Sequence, residues 1–441
     1  MEALPWVALL NTTAFLVALN ICVQLRLSAT HPLCLFVWYF LVGYVARPLV
    51  LIQTGYSQLW SYIGFDPTNR ELVVASVYAS IALLCVLLTP AVVSPGLFTY
   101  RVIPRTKLIV GHPSRFWLAV ASLVMLGLLA VSRAHSGAAD LAVVGYEVEV
   151  DSSGGQRLSG ISGYETAASE FLPATILIIA LCTGVNAKLM VLLVPFIALR
   201  FWMGAGRNAF FLLALALISV HLMQSGRRFP TIKFILAGVL ALFSFDIVGS
   251  NRLAARQIIT GDLTFLELLR DYQHARGENK LTSDFAEFEV SSAIIAIVPE
   301  KTGYNWFSQY LRIIVWPIPR QIWEDKPVYT SFINLNEVGN YFALTWSLIA
   351  DMYSNFGVAS LLLGSALLGI LLVKVNDVAA RTSSPYAYSM AWMFMMYLPL
   401  LFRDGPPMFI YMTGFACVAA CILCWSGQCR LSRESPSDSS I

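Results

Sequence analysis

Six cations and one carboxylate are the residues of this chain best suited to chemistry. Arg207 lies in Gly204-Ala205-Gly206-Arg207-Asn208, and Arg252 and Arg256 directly follow an apolar run that ends near residue 249. Arg320 and Lys326 lie in the run Trp316-Pro317-Ile318-Pro319-Arg320-Gln321-Ile322-Trp323-Glu324-Asp325-Lys326-Pro327. Its three prolines exclude a continuous helix. Arg403 stands in Phe402-Arg403-Asp404-Gly405-Pro406-Pro407, a tight turn between two apolar runs. Guanidinium groups form paired, charge-assisted hydrogen bonds to phosphate oxygens, so two or three of them gathered at one place would hold a diphosphate. The simpler alternative is an ion pair, Arg403 with Asp404 or Arg207 with a loop acid. Asp351 opens Asp351-Met352-Tyr353-Ser354-Asn355-Phe356-Gly357 at the mouth of a helix. A carboxylate there can serve as a general base or orient a hydroxyl. Glu337 and Asp404 compete with it, and Glu324 and Asp325 read as solvated loop acids. Trp316, Trp323 and Tyr353 offer faces for stacking on sugars or for anchoring a loop, with Trp316 read as an anchor.

Other chemistries find no support in the residues. There is no GxxxxGK[ST], no HExxH and no nucleophile elbow, and Gly204-Ala205-Gly206 lacks the third glycine of a dinucleotide fingerprint. His31, His112, His135, His221 and His274 are scattered. Cys417, Cys421 and Cys424 share one helix face, which suits packing of small apolar thiols better than a metal, because no His or acid lies nearby. No cofactor is expected.

The elements that must position these residues are membrane helices. Of 441 residues, 57% are hydrophobic and 12% charged, and the mean hydropathy is +0.69. Ordinary soluble domains carry about 25% charged residues. This excludes a cytosolic enzyme, a disordered chain and a nucleic-acid binder, and the net charge of +3 implies no polyanionic partner. A bilayer needs about 20 apolar residues per helix. Such stretches centre on 5–25, 33–52, 71–92, 115–134, 168–185, 187–203, 208–224, 231–249, 354–374, 385–402 and 406–426. The expected fold is therefore an all-α polytopic membrane protein of about 11 spans. The first span lacks a basic leader and a small-residue cleavage site, so it reads as a retained helix.

Lys/Arg asymmetry orients the spans. Arg101, Arg105, Lys107 and Arg115 follow the third span without an acid, which places that loop in the cytoplasm. Alternation then adds Arg26, Lys188, Arg227, Arg228, Lys233, Lys374, Arg381, Arg430 and Arg433 to the cytoplasmic side, where the acids are Asp377, Glu434 and Asp438. The loop at 135–167 carries Asp140, Glu147, Glu149, Asp151 and Glu165 against Arg157, which suits the outside. The chain divides into 1–249 (spans 1 to 8), 250–353 (a large, partly helical external loop), 354–426 (spans 9 to 11) and 427–441 (a cytoplasmic tail). In the large loop, Leu263, Leu266, Leu269 and Tyr272 repeat on one helical face, and Phe285, Phe288, Ile294 and Ile297 do so more loosely. No cysteine lies in an external loop, so no external disulfide is expected.

Three features together resemble the bacterial oligosaccharide repeat-unit polymerases, the Wzy-type or O-antigen polymerase-like family. They are the Gly206-Arg207-Asn208 element, the run Ile318-Pro319-Arg320 to Lys326-Pro327 closing a long external loop, and Asp351 to Gly357 opening a helix. The resemblance covers roughly residues 200–405; the family often has Glu where this chain has Asp351. It implies a C-type glycosyltransferase-like membrane fold in the bacterial inner membrane, with its active site facing the periplasm. The implied substrate is an undecaprenyl-diphosphate-linked oligosaccharide, and the products are O-antigen of lipopolysaccharide or exopolysaccharide. A flippase and a chain-length regulator are the partners it brings to mind. On this reading Arg207, Arg252, Arg320, Lys326 and Arg403 hold the diphosphate, Arg256 assists, and Asp351 is base or orienter. Rival readings are an O-antigen ligase and a lipid-linked glycan flippase or transporter. Transporters tend to carry internal repeats, which this sequence lacks.

Overall fold

The computed structural model describes residues 2–54, 65–93, 103–144, 148–150, 156–158, 168–186, 208–232, 286–315 and 347–433, with single positions between them. The helices are α1 (Leu4–Gln24), α2 (Pro32–Phe40), a π-helical turn (Leu41–Ala46), α3 (Arg47–Thr54), α4 (Asn69–Val93), α5 (Pro113–Val144), α6 (Phe171–Thr183) and α7 (Asn208–Ser225). They continue with α8 (Glu287–Ile297), α9 (Ser308–Val315), α10 (Leu348–Phe356), α11 (Val358–Arg381), α12 (Pro385–Asp404) and α13 (Pro406–Ser426). Two small antiparallel pairs complete the described fold: β1 (Thr106–Ile109) with β4 (Arg430–Arg433), and β2 (Val148–Val150) with β3 (Gln156–Leu158).

The protein is an all-α membrane protein. Six described helical stretches are long and apolar enough to cross a bilayer: Leu4–Gln24, Pro32–Gln53, Asn69–Val93, Pro113–Ala130, Val358–Arg381 and Pro406–Ser426. Their outward faces are apolar, with Trp6, Leu9 and Leu16 on α1 and Leu118, Met125 and Leu129 on α5 all exposed. Water would not tolerate so much contiguous apolar surface, whereas lipid does. Polar groups turn inward instead. Asn11 on α1 is fully buried, donating to the Tyr44 carbonyl at 2.7 Å and accepting from Ser80 Oγ at 3.4 Å.

Helix ends follow local chemistry. Proline occupies the first turn of α1, α2, α12 and α13, where its missing N–H costs nothing. Gly357 and Gly405, with φ of 77° and 79°, separate α10 from α11 and α12 from α13. A left-handed backbone is cheap only for glycine. The break at Gly357 makes the 348–356 segment a helix of its own, where the sequence suggested the opening of one continuous span centred on 354–374. Close approach also needs glycine at Gly369, where a Cβ would stand 2.2 Å from the Val86 carbonyl oxygen, so α11 and α4 touch backbone to backbone.

The core centres on α12, whose Tyr388, Trp392, Met393, Met396, Tyr397, Leu398 and Phe402 are all nearly inaccessible. It packs against α13, α11, α7 and α2, while α4 packs against α1, α11 and α8.

The basic connections converge on one end of the bundle. Ala29 N donates to the Arg228 carbonyl at 2.9 Å, Arg105 Nη2 to the Ser225 carbonyl at 3.1 Å and Arg433 Nη1 to the Arg381 carbonyl at 3.0 Å. The β1–β4 pair brings Lys107 and Arg430 to the same place. This is the set of loops that charge asymmetry assigns to a single side.

Candidate functional site

Of the residues singled out in the sequence, Asp351, Tyr353, Trp323, Arg403 and Asp404 lie among those described. Arg207, Arg252, Arg256, Arg320 and Lys326 lie outside the described residues, as do Trp316, Glu324, Asp325 and Glu337.

Asp351 and the Arg403–Gly405 turn come together. Asp351 stands in the first turn of α10 and is fully buried. Ser347 caps this helix, accepting from Ile349 N at 3.2 Å. The Gly405 turn faces the acid, so that a Cβ built on Gly405 would lie 3.6 Å from Asp351 Cγ. Arg403 is two residues before that turn, at the end of α12, with Nε 3.8 Å from Asp404 Oδ1. The ion pair foreseen as the simpler alternative is thus present, though long.

The Asp351–Gly357 run has a structural logic beyond its acid. Asn355 Nδ2 donates to the Asp351 carbonyl at 2.7 Å, and its Oδ1 accepts from Phe307 N at 2.9 Å. Asn305 and Trp306 donate their backbone N–H groups to the carbonyls of Ser354 and Asn355. Residues 305–307 are therefore strapped to the end of α10. Trp306 and Phe307 both adopt left-handed backbone, with φ of 48° and 58°, a conformation that costs on the order of 1 kcal/mol or more per non-glycine residue. The strap leads into α9, where the Tyr310 hydroxyl reaches Asp351 Oδ2 at 2.5 Å and donates to it. Tyr353 faces elsewhere. Its ring stacks on Tyr78 at 5.4 Å, it is buried, and its hydroxyl donates to the Val298 carbonyl at 3.4 Å. It holds α10 against α4 and α8. Trp323 is partly exposed.

Two acids that the sequence reading passed over are central to the same region. Within the segment expected to form an external loop, α8 is packed inside the bundle, with Glu287, Phe288, Glu289, Val290, Ser291 and Ser292 all buried. Glu289 forms a forked ion pair with Arg47: Nε lies 3.0 and 3.2 Å from the two carboxylate oxygens and Nη2 lies 2.5 Å from Oε1. Glu287 accepts a hydrogen bond from the Tyr39 hydroxyl. Its second oxygen, Oε2, is buried and has no hydrogen-bond partner among the described residues. That oxygen lies against Gly43 in the π-helical turn, where a Cβ would stand 2.7 Å from it. Nearby, the Tyr44 hydroxyl bonds to Ser291 Oγ at 2.7 Å and to Ser347 Oγ. One hydroxyl thus links the π-helical turn, α8 and the cap of the helix that bears Asp351. π-Helical turns recur at functional sites.

Electrostatics distinguish Glu287. Burial pushes its carboxyl up to about 7, with the Glu289 charge adding to the rise. The Tyr39 hydrogen bond and the Arg403 charge oppose that rise without cancelling it. Arg403 is therefore within electrostatic reach of Glu287, and its neighbour Phe402 packs against Tyr39 at 5.5 Å between ring centres. The described arrangement comprises one guanidinium, two buried carboxyls and two phenols (Arg403, Asp351, Glu287, Tyr310 and Tyr39). It can bind an oxyanion and accept a proton beside it. Among the described residues no group of three or more His, Cys, Asp or Glu side chains is arranged to hold a metal.

Comparison of the chain with protein-family models, with curated proteins and with solved structures finds no match.

Proposed function

We propose that this protein is a membrane glycosyltransferase that polymerises undecaprenyl-diphosphate-linked oligosaccharide repeat units. On this reading it works in the bacterial inner membrane with its site facing the periplasm. It moves the growing glycan from its lipid diphosphate to the terminal sugar of another lipid-linked unit, as the resemblance to the Wzy-type polymerases implies. The observation that carries the reading is the packing of the turn that follows Arg403 against Asp351, with Arg403 within electrostatic reach of Glu287. The diphosphate is already a good leaving group, so the enzyme's task is to stabilise its developing charge and to deprotonate or orient the acceptor hydroxyl. Preorganised cations in a site with little water do the first. Arg207, Arg252, Arg256, Arg320 and Lys326 would join Arg403 in this, and a carboxylate does the second.

Sidedness supports the same reading. α12 starts among the basic connections, since Arg433 bonds to the Arg381 and Thr382 carbonyls just before it. It runs 20 residues, about 30 Å, before reaching Arg403. Positive-inside asymmetry makes the basic end cytoplasmic and the Arg403 end external.

Arg403→Ala and Asp351→Asn, expressed in a strain lacking the wild-type protein, test this. Glycan on the lipid carrier should stop at one repeat. A full polymer ladder from both variants would refute the site. Long chains accumulating on undecaprenyl diphosphate when the protein is absent would identify a ligase instead.

A further inference from the structure

We propose that Glu287, acting through Tyr39, is the proton acceptor of this site, and that Asp351 orients rather than deprotonates. The inference rests on the glycosyl-transfer reading and names the base within it. Glu287 is fully buried and presents no surface of its own. Tyr39 keeps part of its ring exposed, while its hydroxyl is buried and is the side-chain donor to Glu287 among the described residues. The Tyr39 hydrogen bond is thus the route by which a proton reaches the carboxylate. Asp351 is engaged otherwise, with Tyr310 donating to its Oδ2.

In the transfer, the acceptor oxygen bonds to the anomeric carbon. The bond from that carbon to the diphosphate oxygen breaks, and its electron pair leaves with the diphosphate. The acceptor's proton passes to Tyr39 Oη while the phenol proton passes to Glu287 Oε1. Tyr39 ends as it began, Glu287 ends as a carboxylic acid, and the departing diphosphate gains the negative charge that Arg403 faces.

The surroundings suit a carboxylate that holds a proton part of the time. From α2 and the π-helical turn it meets Tyr39 and Tyr44, from its own helix Glu289, which Arg47 pairs, and from the end of α12 Arg403, which Asp404 flanks. Asp351 is the acid on the neighbouring α10. The buried Oε2 has no hydrogen-bond partner among the described residues and leaves room for a proton. Ordinary burial explains a hydrogen-bonded acid but not a carboxylate oxygen that lacks a partner among the described residues and lies within electrostatic reach of a guanidinium.

The test uses the full-length protein in detergent or nanodiscs with a synthetic undecaprenyl-diphosphate oligosaccharide. General acid–base groups contribute on the order of 100-fold or more to rate. Glu287→Gln should lower kcat by at least that factor with KM little changed. Wild-type kcat should rise through a pH near 7, following the value to which burial raises Glu287, and the residual activity of the variant should lose that limb. Tyr39→Phe should be similarly slow. Full activity of Glu287→Gln, or loss of the pH limb in Asp351→Asn instead, overturns the inference. Infrared difference spectra supply a readout that needs no turnover. The wild type should show a protonated-carboxyl band that titrates near neutral pH and is missing in Glu287→Gln. A titrating band with no glycosyl transfer would refute the polymerase reading and leave the proton site standing; no such band would refute the proton site itself.

Discussion

The Arg47–Glu289 pair offers a quantitative test of how α8 is held. Both side chains are buried: Arg47 retains 9% of its side-chain surface and Glu289 none. Three nitrogen–oxygen contacts of 2.5 to 3.2 Å satisfy the fork. Removing one partner of such a pair leaves an uncompensated buried charge and costs about 3–5 kcal/mol, whereas replacing both by apolar groups of similar volume is often neutral or better. Arg47→Met and Glu289→Leu should each destabilise by about that amount, and the double variant should recover most of the loss. The Trp60 indole bonds to the Glu289 backbone carbonyl at 3.2 Å, so that contact survives in every variant and does not confuse the cycle. Unfolding in mixed detergent and SDS, followed by tryptophan fluorescence, measures the four species. If each single variant stays within about 0.5 kcal/mol of wild type, or the double variant loses the sum of both, the pair does not hold α8 as described.

Three further outcomes are expected. The Glu287 carboxyl is raised from 4.5 to about 7 in the folded protein, so its proton stabilises the fold fully below pH 4.5 and the contribution vanishes as pH rises through 7. The difference is on the order of 3 kcal/mol; Glu287→Gln should therefore melt higher than wild type at pH 8.5 and alike at pH 4.5, and parallel curves would contradict this. Gly43→Ala should push the Glu287 carboxylate, 2.7 Å from the new Cβ, and Gly369→Ala should force α11 from α4; each is expected to cost about 1–3 kcal/mol in the same unfolding assay. Asn355→Ala releases the 305–307 strap and with it Tyr310, so proteolysis between α8 and α10 should accelerate while the membrane helices stay protected.

Much of the bundle was legible in the sequence because a membrane helix announces itself by length. The run expected at 406–426 is α13 residue for residue, and those at 5–25, 33–52 and 71–92 fall within two residues of their helices or helical stretches. The π-helical turn inside the second run left no trace, since Leu41 to Ala46 are as apolar as their neighbours. Asp351 was nominated as a carboxylate at the mouth of a helix, and Arg403 as a cation in a tight turn between two apolar runs. Glu287 and Glu289 were missed for the opposite reason: acids in a long polar segment look solvated, and nothing in Glu-Phe-Glu-Val betrays burial. One signal pointed to them. Arg47 sits inside an apolar run, and a cation in such a place needs a buried acid. Seeking its partner among acids next to short apolar stretches leads to the 287–289 pair. Tyr353 was nominated by its place in the motif, and only packing reveals that its ring is occupied by Tyr78.

On the proposed reading, cations and a carboxylate at the external face move a glycan off its lipid diphosphate. Purified protein incubated with an undecaprenyl-diphosphate repeat unit, with no nucleotide sugar added, tests it most directly. The expected result is a ladder of lengthening lipid-linked glycans that Arg403→Ala abolishes. An unchanged repeat unit with the wild-type protein, or an undiminished ladder with Arg403→Ala, would contradict it.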